Sequence, residues 1–357
     1  MRLILPLVIS LFISSPVHGD PVVVAPPPHT IEFAICESSC LTDGDRIRQF
    51  AFDADPATYF ASERNASKSD HFTITFDHPV SLKSVAVLTG QPGGTDLLTE
   101  GVLEVSGDGV RFEAIATFAE GKAVATKQEQ SVKSVRIRAT GDLKCPLVIR
   151  EIVVVSEPKV VTFRYPIEFT LDVADTPEMK EWCHKVIRVC ERHYSMICEE
   201  LSSEGYRPPS QIHLTMKAGY NGVAEASGNK ITGSVKFFKA HPDDMGAMVH
   251  ETAHCVQGYR ARNLPGWLVE GIADYIRFWK YEPGKAGRLA PEQAKFDGSY
   301  RTTTAFLAFV SENYDGKLVN KLNSLLRDGK YEVGVWKTLT GKTVEELNQE
   351  WRRSLAR

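Results

Sequence analysis

A chain of 357 residues, 43% hydrophobic and 24% charged, has the make-up of folded globular protein, which excludes wholesale disorder and fibrous repeats. The length predicts about two domains. A net charge of −3 argues against recognition of nucleic acid by bulk charge, and no internal run approaches the ~18 apolar residues that a bilayer-spanning helix needs.

Arg2 gives the chain a positive start, an apolar run follows from Leu3 to Ser14, and small residues stand at Val17 and Gly19. This pattern predicts a signal peptide over residues 1–19, cut after Gly19. The run is short for the competing reading, a membrane anchor. The mature protein, with no transmembrane segment, is expected to be secreted or periplasmic. Residues 20–30, centred on Pro26-Pro27-Pro28, read as an extended spacer. The seven cysteines leave at least one thiol unpaired in a monomer. Cys183 and Cys190 read as buried core residues on one helix, and a bridge from Cys36 or Cys40 to Cys145 would tie the ends of the first domain together.

Over residues 31–156 the hydrophobic pattern is short and alternating. Residues 72–76, 85–88, 102–106, 135–138 and 148–155 predict strands, punctuated by Gly and Asp as at Gly107-Asp108-Gly109. The spacing predicts an all-β sandwich. Two stretches resemble known elements of discoidin-like (coagulation-factor type C) domains, the galactose-binding-like jelly rolls. One is Asp53 through Thr58 to Ser62; the other is Leu103-Glu104-Val105-Ser106-Gly107-Asp108-Gly109. The resemblance implies a jelly-roll module whose end loops bind a glycan or cell-surface ligand, with a structural calcium in some members. The binding residues are not identifiable here, and a purely structural spacer is an equal reading.

Residues 157–164 read as a linker, and residues 165–357 as a second, α+β domain. Residues 167–173 alternate like a strand. Thr176-Pro177 reads as an N-cap with Pro in the first turn. From Met179 to Leu201 apolar residues recur at three- and four-residue steps, a long amphipathic helix that Gly205 is placed to end. Strands are predicted at 212–216 and 230–235, and the chain is mainly helical after residue 241, its last helix opened by a T-x-x-E capping box at Thr343 and Glu346.

His250-Glu251-Thr252-Ala253-His254 is an HExxH motif. On a helix started by Pro242-Asp243-Asp244, residues four apart share a face, so both imidazoles reach one ion. Imidazoles at this spacing suit Zn²⁺, and Glu251, one residue round from His250, is placed to take a proton from a zinc-held water. A catalytic zinc commonly takes a third protein ligand. Glu270, on the helix predicted after Pro265-Gly266, is the candidate. Asp274, four residues on, is placed to accept a hydrogen bond from a ligating imidazole. The Glu-x-x-x-Asp continuation resembles the gluzincin metallopeptidases. With Asp274 on the metal and Glu270 behind it, the site would instead resemble an aspzincin.

The whole stretch 165–355 resembles the basic secretory protein family of secreted plant and bacterial metallopeptidases, through residues 241–244, 250–257, 270–277, 299–307 and 322–342. The chain departs from the family name in being mildly acidic. The resemblance implies a zincin-like fold and hydrolysis of peptide or protein substrates by zinc-activated water with Glu251 as general base. A further site residue comes from similarity to the zinc aminopeptidases: Tyr300, at a helix start, resembles in position their donor to the oxyanion, although Thr302-Thr303-Thr304 replaces the Lys-Gly part of their motif, and a Tyr packed there with its hydroxyl in water is an equal reading. The competing class is a binding protein with a catalytically silent zincin domain. His184, His193 and His213 read as non-ligands, and Arg277 as the partner of a carboxylate, structural or substrate.

Overall fold

The protein is described from a computed structural model covering residues 31–287, 289–298 and 300–356, with the side chains of residues 127–129 and of Tyr300 outside that description. The signal-peptide and spacer segments lie outside the described residues.

The N-terminal half is all β: β1 (Ile31–Glu32), β2 (Ala34–Ser38), β3 (Phe60–Asn65), β4 (His71–Thr89), β5 (Gly101–Ser106), β6 (Glu113–Thr117), β7 (Lys122–Ala139), β8 (Pro146–Glu157) and β9 (Lys159–Val160). The strands predicted separately at 72–76 and 85–88 are one 19-residue strand, β4. Asp77-His78-Pro79, between them, is the point where the register with β7 shifts, between Thr75 and Val80, a bulge that bends the strand. Before the bend β4 lies between β2 and β7, and β7 continues to β5 and β6. Beyond it β4 lies between β7 and β8, and β8 pairs with β3. Strands that switch sheets at a bulge make the corner of a sandwich. Phe60, Phe72, Ile74, Leu82, Leu103 and Ile149 fill its interior. At the β5–β6 turn the Asp108 carboxylate accepts from the Val110 and Arg111 amides. All seven cysteines are free, so the expected bridge to Cys145 is not formed. Cys36 is buried in β2 opposite Ile74, whereas Cys145 precedes β8 and accepts from the Ala66 amide.

The C-terminal half has its own core. A four-stranded sheet runs in the order β10 (Glu168–Asp172), β11 (Gln211–Lys217), β13 (Lys230–Ser234), β12 (Ala224–Ser227). The first three are parallel, and β12 is the antiparallel edge. Helix α1 (Lys180–Glu200) makes the crossover from β10 to β11 and buries Cys183, Val186, Cys190, Tyr194 and Ile197. Two local expectations are corrected. The Thr176 hydroxyl donates to the Met216 carbonyl rather than capping, and α1 starts after a 3-10 turn, Pro177–Met179. The helix ends at Glu200, with Gly205 in the turn beyond at φ 72°.

The remainder is helical: α2 (Val235–Ala240), α3 (Gly246–Gln257), α4 (Gly266–Tyr275) running into a π-helical segment (Ile276–Tyr281), α5 (Tyr300–Asn313), α6 (Leu318–Arg327), α7 (Val335–Thr340) and α8 (Val344–Leu355). The capping box at Thr343 and Glu346 is formed. Among the described residues no helix is long and apolar enough to cross a membrane.

Candidate metal centre

Helix α3 is buried around nearly its whole circumference, including His250 and Glu251. It begins at Gly246, two residues past the end of the Pro242-Asp243-Asp244 start, and the Asp244 carboxylate accepts from the Ala247 amide. Four-residue spacing stacks the two imidazoles on one face, with His250 Nε2 and His254 Nε2 2.9 Å apart. Helix α4 brings Glu270 over them, its Oε2 3.3 Å from each Nε2. Among the described residues these three form the group whose ligand atoms all lie within 4.8 Å of one another. Ligands about 2.0–2.2 Å from a tetrahedral ion stand about 3.3–3.5 Å apart. The two Nε2-to-carboxylate distances match that spacing and the Nε2 pair is slightly tighter. Two imidazoles and one carboxylate are also the donor chemistry of a catalytic zinc site that keeps a fourth position open.

The distal nitrogens are held as well. His250 Nδ1 lies 2.6 Å from Asp274 Oδ1, and Asp274 is buried at 4% exposure. A carboxylate only accepts, so Nδ1 carries a hydrogen and donates it to Asp274, which holds the ring with Nε2 turned toward His254 and Glu270. Sequence reasoning missed the counterpart on His254. Gln257 Oε1 lies 2.8 Å from His254 Nδ1, while Gln257 Nε2 donates to the Val269 carbonyl at 2.9 Å. One amide thus fixes the second imidazole and clips the end of α3 to the residue before Glu270. The signal was available: Gln257 is three residues beyond His254 on the same helix, and a buried amide there has to find partners.

Charge follows this arrangement. Burial pushes the His250 imidazole down, but the Asp274 and Glu270 carboxylates outweigh it and raise it to about 9. Burial pushes Glu270 up, and hydrogen bonds to both imidazoles reverse this and hold it well below the usual carboxylate range. Glu251 is raised by burial against the pull of the two imidazoles. The Glu251 carboxylate lines the same cleft as the three donors, about 1240 Å³ in volume, with edge strand β12 forming one wall.

Arg277 lies in the π-helical segment and donates to Glu282 and Asp244, so its carboxylate partners are the protein's own. His213 meets Thr170, His193 packs against Tyr281 and His241 stacks on Phe237, all away from the metal group. The Tyr300 backbone opens α5 as predicted; its side chain lies outside the described residues.

Residues 169–351 match the family described as a peptidase of plants and bacteria, BSP. The chain belongs to this family. The BSP match covers α3 and α4 with every residue of the metal group and stops short of the sandwich. No curated protein sequence matches the chain. Solved structures align with the remaining part. The CBM32-1 module of a family 31 glycoside hydrolase from Clostridium perfringens is 17% identical, covering 34% of this chain and 92% of that one, with a TM-score of 0.30. The family 32 module of C. perfringens NanJ, solved with galactose, is 14% identical over 34% and 92%, also with a TM-score of 0.30.

Proposed function

We propose that this BSP member is a zinc-dependent peptidase working outside the cytoplasm. The observation that carries the reading is the convergence of His250 Nε2, His254 Nε2 and Glu270 Oε2 in a cleft that also holds the Glu251 carboxylate. His250, His254 and Glu270 would hold the ion, with Asp274 and Gln257 fixing the imidazoles. Glu270 is preferred to Asp274 as third ligand because Asp274 is already engaged at Nδ1, on the far side of the His250 ring. Zinc held there supplies Lewis-acid polarisation of the scissile carbonyl and of water. The Glu251 carboxylate accepts the proton of the attacking water and returns it to the leaving amine nitrogen. The outer edge of β12, which pairs with no other strand among the described residues, offers backbone donors and acceptors along which an extended peptide can pair. The sandwich is proposed to hold the enzyme at a glycan or cell-surface ligand, on the strength of its discoidin-like motifs, and export rests on the N-terminal pattern.

The test uses purified full-length protein: metal content, and cleavage of a denatured protein with and without chelator. One zinc per chain and chelator-sensitive cleavage, both lost in His250→Ala, are expected. Cleavage that is unaffected in Glu251→Gln would refute the mechanism.

A further inference from the structure

The cleft carries charge that the hydrolytic chemistry does not use. Among the described residues five arginines line it: Arg207, Arg260, Arg277, Arg301 and Arg327. Two are engaged by the fold. Arg277 binds Asp244 and Glu282, and Arg327 donates to the carbonyls of Leu201, Val256 and Gln257. Arg207, Arg260 and Arg301 are exposed, and none has a carboxylate partner among the described residues. The Arg301 guanidinium rests over the Phe278 ring, 4.8 Å from its centroid, which leaves its edge N–H groups free to donate. On the acidic side the cleft has Glu225, Glu251, Glu270 and Asp274. The last three belong to the metal group and the proton transfer, which leaves Glu225 against three guanidiniums that have no carboxylate partner among the described residues. This local excess of positive charge sits on a chain of net charge −3.

The three are also separated along the cleft. Arg260 stands three residues past the end of α3. Arg207 is at the same end, beside Tyr206, whose ring closes on Gly258. Arg301 is at the other end, where Arg277, next to Phe278, grips Asp244 just ahead of the first turn of α3. The 12-residue helix spans about 18 Å, and the metal group lies between its ends.

We propose that the cleft selects polypeptides carrying acidic side chains on both sides of the bond to be cut, with Arg301 reading one side and Arg207 and Arg260 the other. This rests on the peptidase reading, because it takes the cleft as the substrate site. Guanidinium forks pair bidentately with carboxylates and lose that partner when the acid is an amide. Exposed pairs are individually weak, so the preference of three together is expected to be about tenfold, and screened by salt.

The experiment separates binding from turnover. Full-length Glu251→Gln protein, supplied with zinc, is titrated with fluorescein-labelled decapeptides that differ only in having Glu, Gln or Lys on both sides of a central apolar pair. The Glu peptide is expected to bind about tenfold more tightly than the Gln peptide at ~0.02 M salt, with the advantage shrinking toward one at ~0.5 M. Adding Arg260→Gln and Arg301→Gln is expected to abolish most of it. Equal binding of Glu and Gln peptides to the unmutated cleft overturns the inference, whatever the variants do. Acid preference in binding without cleavage by wild type at any metal loading would overturn the peptidase reading and the scissile bond with it, and leave standing only the preference of the cleft for acidic polypeptides. Cleavage by wild type with no acidic preference would do the reverse.

Discussion

At the scale of single residues, the proposed metal group depends on hydrogen bonds to the imidazole nitrogens that face away from it. Gln257 is expected to matter almost as much as a ligand. Gln257→Ala leaves His254 free to change tautomer and unclips Val269, so zinc affinity is expected to fall about 10–100-fold in competition with a chromophoric chelator. An unchanged affinity would make the amide a packing residue. Tyr300 is proposed as the oxyanion donor, and Tyr300→Phe is expected to lower kcat by about 10²-fold with KM and zinc content little changed. Wild-type kcat would assign the hydroxyl no part in the reaction. Glu151 of the sandwich is buried, with Oε2 lacking a partner. Burial, aided by the charges of Asp53 and Asp55, raises it from 4.5 to about 7. Between those values the folded chain binds this proton and the unfolded chain does not, so stability falls as pH rises from about 4.5 to 7. In chelator-treated buffer Glu151→Gln is therefore expected to raise Tm at pH 8 and change it little at pH 4. A lower Tm at pH 8 would mean that the carboxylate is stabilised by something beyond its protein neighbours.

At the scale of elements, the ligand helix α4 is positioned by a close approach. A Cβ on Gly271 would stand 2.1 Å from Thr303 Cγ2 of α5 and 2.9 Å from its Cβ. Thr303 is fully buried and its hydroxyl is held by the Phe296 carbonyl, so it has no room to yield. Gly271→Ala is expected to push α4 and α5 apart, destabilise the domain by about 1–3 kcal/mol and weaken zinc binding through the adjacent Glu270. A variant with unchanged Tm and zinc affinity would show that α5 yields freely. The long strands β4 and β7 teach the opposite lesson about legibility. The alternation of β4 is visible on either side of residues 77–79, but whether such a break is a turn or a bulge depends on the partner strand β7. That information is absent from the segment itself.

At the scale of the whole molecule, the two halves are joined through charge that neither half discloses. Arg48, from the sandwich, reaches Glu168 at the start of β10 and Glu191 on α1, at 3.2 and 3.3 Å. The Arg48 amide and the Thr42 hydroxyl also donate to Glu168, and Gln49 Oε1 accepts from the Ile167 amide. Burial raises Glu191 to about 7 even with Arg48 beside it. Arg48→Met would leave two buried carboxylates without their cation. It is expected to cost about 3 kcal/mol at pH 8 and less at pH 5, where Glu191 holds a proton instead, as urea titrations at the two values would show. An equal loss at both would assign the cost to packing. Residues 160–357 alone are likewise expected to be less stable than the same residues within the full chain, although they contain every residue of the metal group.

The amino-acid sequence by itself determined what lies within one helix or follows from a fixed offset: the HExxH pair on one face, the Glu270 and Asp274 spacing, the buried stripe of α1 and the capping box of α8. These are set by 3.6 residues per turn and need no partner to be read. Only the tertiary structure decided what depends on two segments meeting. It set Glu270 over both imidazoles and Asp274 behind one of them, put Gln257 behind the other, bent β4 into two sheets and brought Arg48 to acids 120 and 143 residues away. The physical reason is that a side chain's local pattern fixes the direction in which it points, whereas the atom it meets is chosen by the packing of the whole chain.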